Sequence, residues 1–163
     1  SRVSRGLGDV YKRQNIWFKD NWSSLSMKEK MEWKYQRYMQ DYLGTISSVD
    51  DNLGRVLDYL EKSGLDKNTI VVYTSDQGFF LGEHGWFDKR FIYDESFKTP
   101  LLVKWPEKIV PGIRISKMVQ NLDFAQTFLD AANINQPADM QGKSLMPLLL
   151  GQGKNWNLSL IHI

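Results

Sequence analysis

Cysteine is absent from all 163 residues. No disulfide, thiolate metal site or cysteine nucleophile can therefore form within this chain. The absence does not assign a redox compartment. Histidine is nearly as scarce, and imidazole chemistry falls on His84 or His162, the only two copies. No stretch of about 18 apolar residues occurs, so no membrane span is expected. No secretory leader pattern is visible. Charge of one sign is not in excess: the net charge is +2, and Lys and Arg are spread along the chain. Without a dense basic patch, a nucleic-acid partner is not expected. Internal repeats and low-complexity segments are lacking too.

What the chain does have is enough apolar material for one domain, with 42% hydrophobic residues. Aromatics reach 13%, including six Trp. Such rings fill cores and also line carbohydrate clefts, and their large apolar area favours the core. The two ends differ from the rest. Residues 1–14 (SRVSRGLGDVYKRQ) and 158–163 (LSLIHI) show no helix or strand period. They read as a non-native leader and tail, with ordinary flexible termini as the alternative. If both are foreign, the natural coding sequence is cut at each end, and residues 15–157 bear the fold.

Residues 15–26 are aromatic and polar, with Trp17, Phe18 and Trp22, and predict an irregular segment. Ser26 followed by Glu29 has the spacing of a capping box. From Met27 the chain turns helical: Leu43, Ile46, Val49, Leu53, Val56, Leu57 and Leu60 recur at spacings of three or four. Gly54 inside this stripe implies close packing. Lys62 and Gly64 supply a basic last turn and a terminating glycine. Thr69–Thr74 is β-branched, aromatic and nearly all apolar, as expected of a strand covered on both faces in a parallel sheet. Helix followed by buried strand is half of an α/β unit. A second strand is expected over Thr99–Trp105, closed by Pro106 and the turn at Val110-Pro111-Gly112. A short helix is expected over 121–132, with Asn121 or Asp123 near its start. Gln141-Gly142 predicts a turn, and Ser144–Leu150 a last helical turn ended by Gly151.

The chemistry concentrates after the first strand. Asp76 and Gln77 follow it directly, at the sheet edge where α/β folds bind ligands, and Gly78 allows a sharp turn. A carboxylate beside a carboxamide offers two hard oxygen ligands, suited to Ca²⁺ or Mg²⁺ rather than Zn²⁺. Two donors cannot complete such a site. The bland alternative is an Asp capping a turn. Next, Gly82 and Gly85 flank Glu83-His84, so the backbone there can approach a ligand. His84 could donate to an anion or move a proton. Lys89 supplies a compact positive charge for an anionic oxygen. Singly these are a loop hydrogen-bonder and solvated charges, with Glu83 and Asp88 as partners of Lys89 and Arg90. Jointly they outline a cationic pocket for a tetrahedral anion.

The run Thr74-Ser75-Asp76-Gln77-Gly78-Phe79-Phe80-Leu81-Gly82-Glu83-His84-Gly85, then Lys89, Tyr93-Asp94-Glu95-Ser96 and Thr99-Pro100-Leu101-Leu102-Val103, resembles the carboxy-terminal half of the catalytic domain of type I sulfatases, in the alkaline-phosphatase-like superfamily. The helix with Val49-Asp50-Asp51-Asn52-Leu53-Gly54-Arg55 and the segments Val119–Leu129 and Met140–Leu145 are similar to flanking parts of that domain. The likeness spans roughly residues 15–157. It looks nearest to bacterial sulfatases of glycosaminoglycan or mucin sugars, including N-acetylglucosamine-6-sulfatase-like members.

The resemblance implies an α/β fold: a partial alkaline-phosphatase-like sandwich with a mostly parallel sheet flanked by helices. It implies a sulfuric ester hydrolase using Ca²⁺, with Mg²⁺ possible in its place, and a formylglycine nucleophile. Asp76 matches the family's metal-ligand aspartate, and Gln77 stands where Asn or His often ligates. Lys89 matches the sulfate-binding lysine, which assists the bridging oxygen in leaving. His84 matches a histidine near substrate, and Glu83 is a substrate-pocket candidate. The substrate implied is a sulfated carbohydrate, and the location implied is periplasmic or exported in a bacterium. The departure is large: no Cys/Ser-x-Pro/Ala-x-Arg sequence and no paired amino-terminal aspartates are recognisable. The isolated chain is therefore expected to lack sulfatase activity and to bind metal poorly. Two alternatives stand beside this: a phosphatase or phosphonate hydrolase of the same superfamily, and a non-catalytic carbohydrate-binding domain.

Overall fold

The computed structural model describes residues 20–156. The leader, the tail with His162, and Trp17 and Phe18 lie outside the described residues. The chain divides into two compact units, Ser1–Tyr59 and Leu60–Ile163.

In the first unit, a short 3-10 turn at Trp22–Ser24 leads into helix α1, Met27–Lys62. The expected capping box is present. The Ser26 N–H donates to Glu29 Oε2 at 2.8 Å, and the Glu29 N–H donates to Ser26 Oγ at 3.3 Å. These bonds satisfy donors that a helix start otherwise leaves open. Trp22 meets Trp33 edge-on at 6.4 Å, and the Lys30 and Lys34 ammoniums lie 5.2 and 5.5 Å from its ring. Leu43, Ile46, Val49, Val56 and Leu57 form the anticipated stripe, yet all five are exposed. Gly54 departs from expectation as well: a Cβ there would meet nothing within 4 Å.

The helix stops in the second unit as its sequence predicts. Gly64 takes a left-handed φ of 70°. The Gly64 N–H donates to the Glu61 carbonyl and the Leu65 N–H to the Leu60 carbonyl, each at 3.0 Å. That pair of bonds is a Schellman cap. Strand β1 (Val71–Thr74) follows, then helix α2 (Asp94–Phe97), strand β2 (Leu101–Lys104), helix α3 (Asp123–Ala131) and helix α4 (Met146–Leu149).

The strands pair antiparallel, with Val72 opposite Val103 and Thr74 opposite Leu101. Parallel neighbours were expected for Thr69–Thr74. The link from β1 to β2, residues 75–100, is long enough for a crossover but holds no crossover helix: it returns through loop and the one-turn α2, and β2 meets β1 antiparallel. Coverage on both faces is also corrected. Tyr73 and Leu102, opposite one another, are exposed. Leu101 and Val103 pack on a core of Leu145, Leu148, Leu149 and Trp156. Trp156 is fixed there by its indole N–H, which donates to the Met118 carbonyl at 2.8 Å.

Two polar residues buried at α3 organise this core. Asp123, fully buried, accepts the Gln120 N–H and the Lys143 N–H, both at 2.9 Å. Thr127 Oγ1 accepts the Leu145 N–H at 2.8 Å. Gly142 is required by proximity: a Cβ there would overlap the Leu122 carbonyl and come within 2.7 Å of Gln126 Oε1. Together these contacts clamp the 140–145 segment onto the start of α3.

Candidate functional site

Strand β1 delivers Ser75–Gly78 at its carboxyl end. The Ser75 hydroxyl donates to the Gln77 carbonyl at 2.8 Å and lies 3.4 Å from Asp76 Oδ1. Asp76 is exposed and Gln77 half-buried. Asn121 Nδ2 donates to the Asp76 carbonyl at 3.2 Å, across 45 positions of sequence.

Backbone bonds then lay the next loop against this one. The Gly78 N–H donates to the Ser96 carbonyl at 2.7 Å, the Phe80 N–H to Asp88 at 2.7 Å, and the Gly82 N–H to Trp86 at 2.9 Å. Ser96 is buried, and its hydroxyl bonds the Phe91 and Tyr93 carbonyls. Phe80 is fully buried and meets His84, Trp86 and Tyr93 edge-on, with ring centres 5.7–6.0 Å apart. The aromatic richness of this stretch is thus spent on a local core that holds a loop.

His84 sits on that core. Its φ of 56° is left-handed, between Gly82 at 115° and Gly85 at 78°. Its ring stacks on Tyr93 with centres 4.3 Å apart, and Nε2 lies 3.6 Å from Glu95 Oε2. One face of the imidazole is therefore covered, and one nitrogen faces a carboxylate. Glu83 Oε2 accepts the Leu81 N–H at 2.5 Å. Its own N–H and that of Leu81 hold the Glu83 carboxyl below the ordinary range, with His84 adding to the effect. Glu83 is thus braced by two backbone N–H groups.

Lys89 is exposed, and its ammonium forms no ion pair among the described residues. Asp88, a candidate partner in the sequence, is taken by Arg90 at 2.5 Å. That guanidinium, then the Lys89 N–H, lowers the Asp88 carboxyl. Lys89 thus makes no ion pair with Asp88, although its charge also helps to lower that carboxyl.

Among the described residues no group of three or more His, Asp and Glu side chains could hold a metal ion. The donors at Asp76 and Gln77 are all oxygen and stand on a surface loop, which fits a hard cation completed by ligands from elsewhere. A groove of about 710 Å³ along β2 and Trp105–Val119 includes none of Asp76, Gln77, Glu83, His84 or Lys89. Its lining is mostly apolar, whereas Asp76, Glu83, His84 and Lys89 are exposed on their loops and Gln77 is half-buried.

Sequence patterns assign no site role to Glu95, Ser96, Asn121 or Asp123. Glu95 and Ser96 lie within the Tyr93–Ser96 run noted for its family likeness. Sequence places Asn121 or Asp123 only near the start of the helix expected over 121–132. Their long-range bonds have no local sequence signal.

The profile of the family N-sulphoglucosamine sulphohydrolase, C-terminal, matches residues 82–162. An N-acetylglucosamine-6-O-sulfatase of Bacteroides thetaiotaomicron is 50% identical over 161 aligned residues, covering 91% of this chain and 29% of that protein. Human N-acetylglucosamine-6-sulfatase is 38% identical over 109 residues, 66% of this chain and 19% of that protein. A solved complex of a protein with its substrate D-glucosamine-2-N,6-O-disulfate superposes with a TM-score of 0.86 at 48% identity, over 96% of this chain and 32% of that one. A phosphonate monoester hydrolase from Silicibacter pomeroyi superposes at 0.63 with 32% identity, over 67% of this chain and 22% of that one. The strand-end Asp76–Gln77 loop, the His84–Lys89 loop packed against it, and these likenesses define a chain of the alkaline-phosphatase-like α/β class. Within that class it belongs to the sulfatase family, as a carboxy-terminal part of the sulfatase domain. It spans about a third or less of the length of these relatives.

Proposed function

We propose that this chain supplies one side of the active site of a sulfuric ester hydrolase that removes sulfate from a sulfated amino sugar. The observation that carries this is the loop pairing: Asp76–Gln77 at the end of β1 is tied through Gly78 and Phe80 to the loop bearing His84 and Lys89. Asp76 and Gln77 would hold Ca²⁺, or Mg²⁺ in its place, whose charge polarises sulfate oxygens. Lys89 places its exposed ammonium on the sulfate group, where it offsets charge developing on the bridging oxygen. His84, fixed by Tyr93, presents imidazole to the substrate. Glu83, ionised, accepts a hydrogen bond from a sugar hydroxyl. The nucleophile, a formylglycine by family, and the other metal ligands would come from outside residues 15–157. An exported or periplasmic setting accords with a polysaccharide substrate; no described helix is long and apolar enough to cross a membrane.

The test grafts residues 20–156 onto the B. thetaiotaomicron relative in place of its matching segment. Desulfation of N-acetylglucosamine-6-sulfate by the graft supports the proposal. Loss of that turnover in Asp76→Ala and Lys89→Ala, by about 100-fold or more, would complete it. Turnover unaffected by both changes would leave only a carbohydrate-binding role. The likeness to a phosphonate monoester hydrolase favours a second reading. A graft that cleaves a phosphonate monoester faster than the sulfated sugar would select it.

A further inference from the structure

A metal-holding loop must be fixed as well as furnished with ligands, because loose ligands lose affinity to disorder. Nothing in β1 fixes the Asp76 peptide, since the β1–β2 pairing ends at Thr74. The N–H of that peptide, on Gln77, has a long local bond to Ser75 Oγ at 3.5 Å, and its carbonyl is held from outside the loop by Asn121, whose amide nitrogen donates to it at 3.2 Å. Asn121 is itself held. Its carbonyl accepts the Phe124 N–H, while the neighbouring Gln120 N–H donates to the buried carboxylate of Asp123. Asp123 in turn grips Lys143, so the 120–123 turn is anchored on two sides.

We infer that Asn121 is a positioning residue for the metal loop: its amide, aimed by the Asp123 clasp, fixes the Asp76 peptide and with it the direction of the Asp76 carboxylate. This rests on the proposal that Asp76 is a metal ligand. The Asn121 side chain is exposed and fills no core. Its removal therefore changes loop order rather than folding. Polarising the carbonyl of a ligand residue touches neither substrate nor nucleophile, so the effect falls on metal requirement rather than on substrate KM.

The experiment uses Asn121→Ala and Asn121→Asp in the graft described above, with Asp76→Ala beside them. The expected result is a rise of about three- to tenfold in the Ca²⁺ concentration for half-maximal activity, with sugar KM and Tm unchanged. Asn121→Asp, the same shape without the donor, should do no better than Ala. A second measurement needs no turnover. In the 163-residue chain, the carbonyl carbon resonance of Asp76 should move in both Asn121 variants, and that of Thr74 should not. Unchanged calcium dependence together with an unmoved Asp76 resonance would overturn the inference, and in a graft without turnover the resonance decides alone. If Asp76→Ala leaves calcium dependence untouched while the resonance still shifts, the metal assignment fails and the tether stands.

Discussion

The carbonyl of Glu95 occupies the space that a side chain at Gly78 would need. A Cβ there would overlap that oxygen and come within 2.9 Å of its carbon and 3.0 Å of the Lys98 carbonyl. The contact is what lets the metal-loop backbone lie against α2, and α2 brings Glu95 to His84. Gly78→Ala therefore forces two backbones apart, and backbone cannot rotate aside as a side chain can. The expected cost is about 1–3 kcal/mol, seen as a lower urea midpoint at unchanged m-value. The Gly78 N–H bond to Ser96 should also open, with faster amide exchange at that position.

Gly54 is the opposite case. It lies inside α1 with open space where a Cβ would stand. Gly54→Ala should stabilise the chain by about 0.5–1 kcal/mol by lowering the backbone entropy lost on helix formation. Circular dichroism at 222 nm through a thermal ramp reads the gain. A loss of stability would mean that α1 packs closely at this point.

The difference between these glycines explains how far the sequence was legible. Local codes were. Ser26 with Glu29 gave the start of α1, and Lys62 with Gly64 its end, because caps are written within a few residues. Asp76, Gln77, His84 and Lys89 stood out because their chemistry and spacing lie in one run. Nonlocal facts were not legible. Nothing around Gly78 says that a helix carbonyl rests on it, and nothing around Gly54 says that its flank is open. The antiparallel partner of β1 is not legible for a related reason. An apolar run reports burial, and burial is shared by parallel and antiparallel strands alike, while the direction depends on how the 75–100 link returns. Sequence places Asn121 only near a helix start, because its partner lies 45 residues away.

The capping box at Ser26 makes helix order depend on pH. Hydrogen bonds from the Ser26 hydroxyl and N–H hold the Glu29 carboxyl below its ordinary value of 4.5. A folded-state value below the unfolded one means that folding favours the ionised form. The contribution is present above the ordinary carboxylate range and is lost as pH falls through the depressed value. Backbone carbon shifts of residues 26–30 should therefore move toward coil between pH 5 and about 3. Glu29→Gln keeps a side-chain acceptor for the Ser26 N–H but removes the titration, so its shifts should stay flat over that window. An identical transition in the variant would assign it to another carboxylate.

Asp123 tests the clamp from its buried end. Its two oxygens each accept one backbone N–H, from Gln120 and Lys143, and none of its surface is exposed. Asp123→Ala strands both donors inside the core and should cost about 2–4 kcal/mol. Asp123→Asn keeps the shape and one acceptor but turns an N–H₂ toward one of the donors, so its loss should approach that of Ala. Asp123→Glu retains both acceptors on a longer stem, in a place where Gly142 is already pressed against Leu122; it should rescue little. Urea unfolding of the three variants gives the ranking. A mild effect in Asp123→Ala would show that water reaches the Gln120 and Lys143 amides, and the 140–145 segment would then be held by Thr127 and the Leu145–Leu149 core alone.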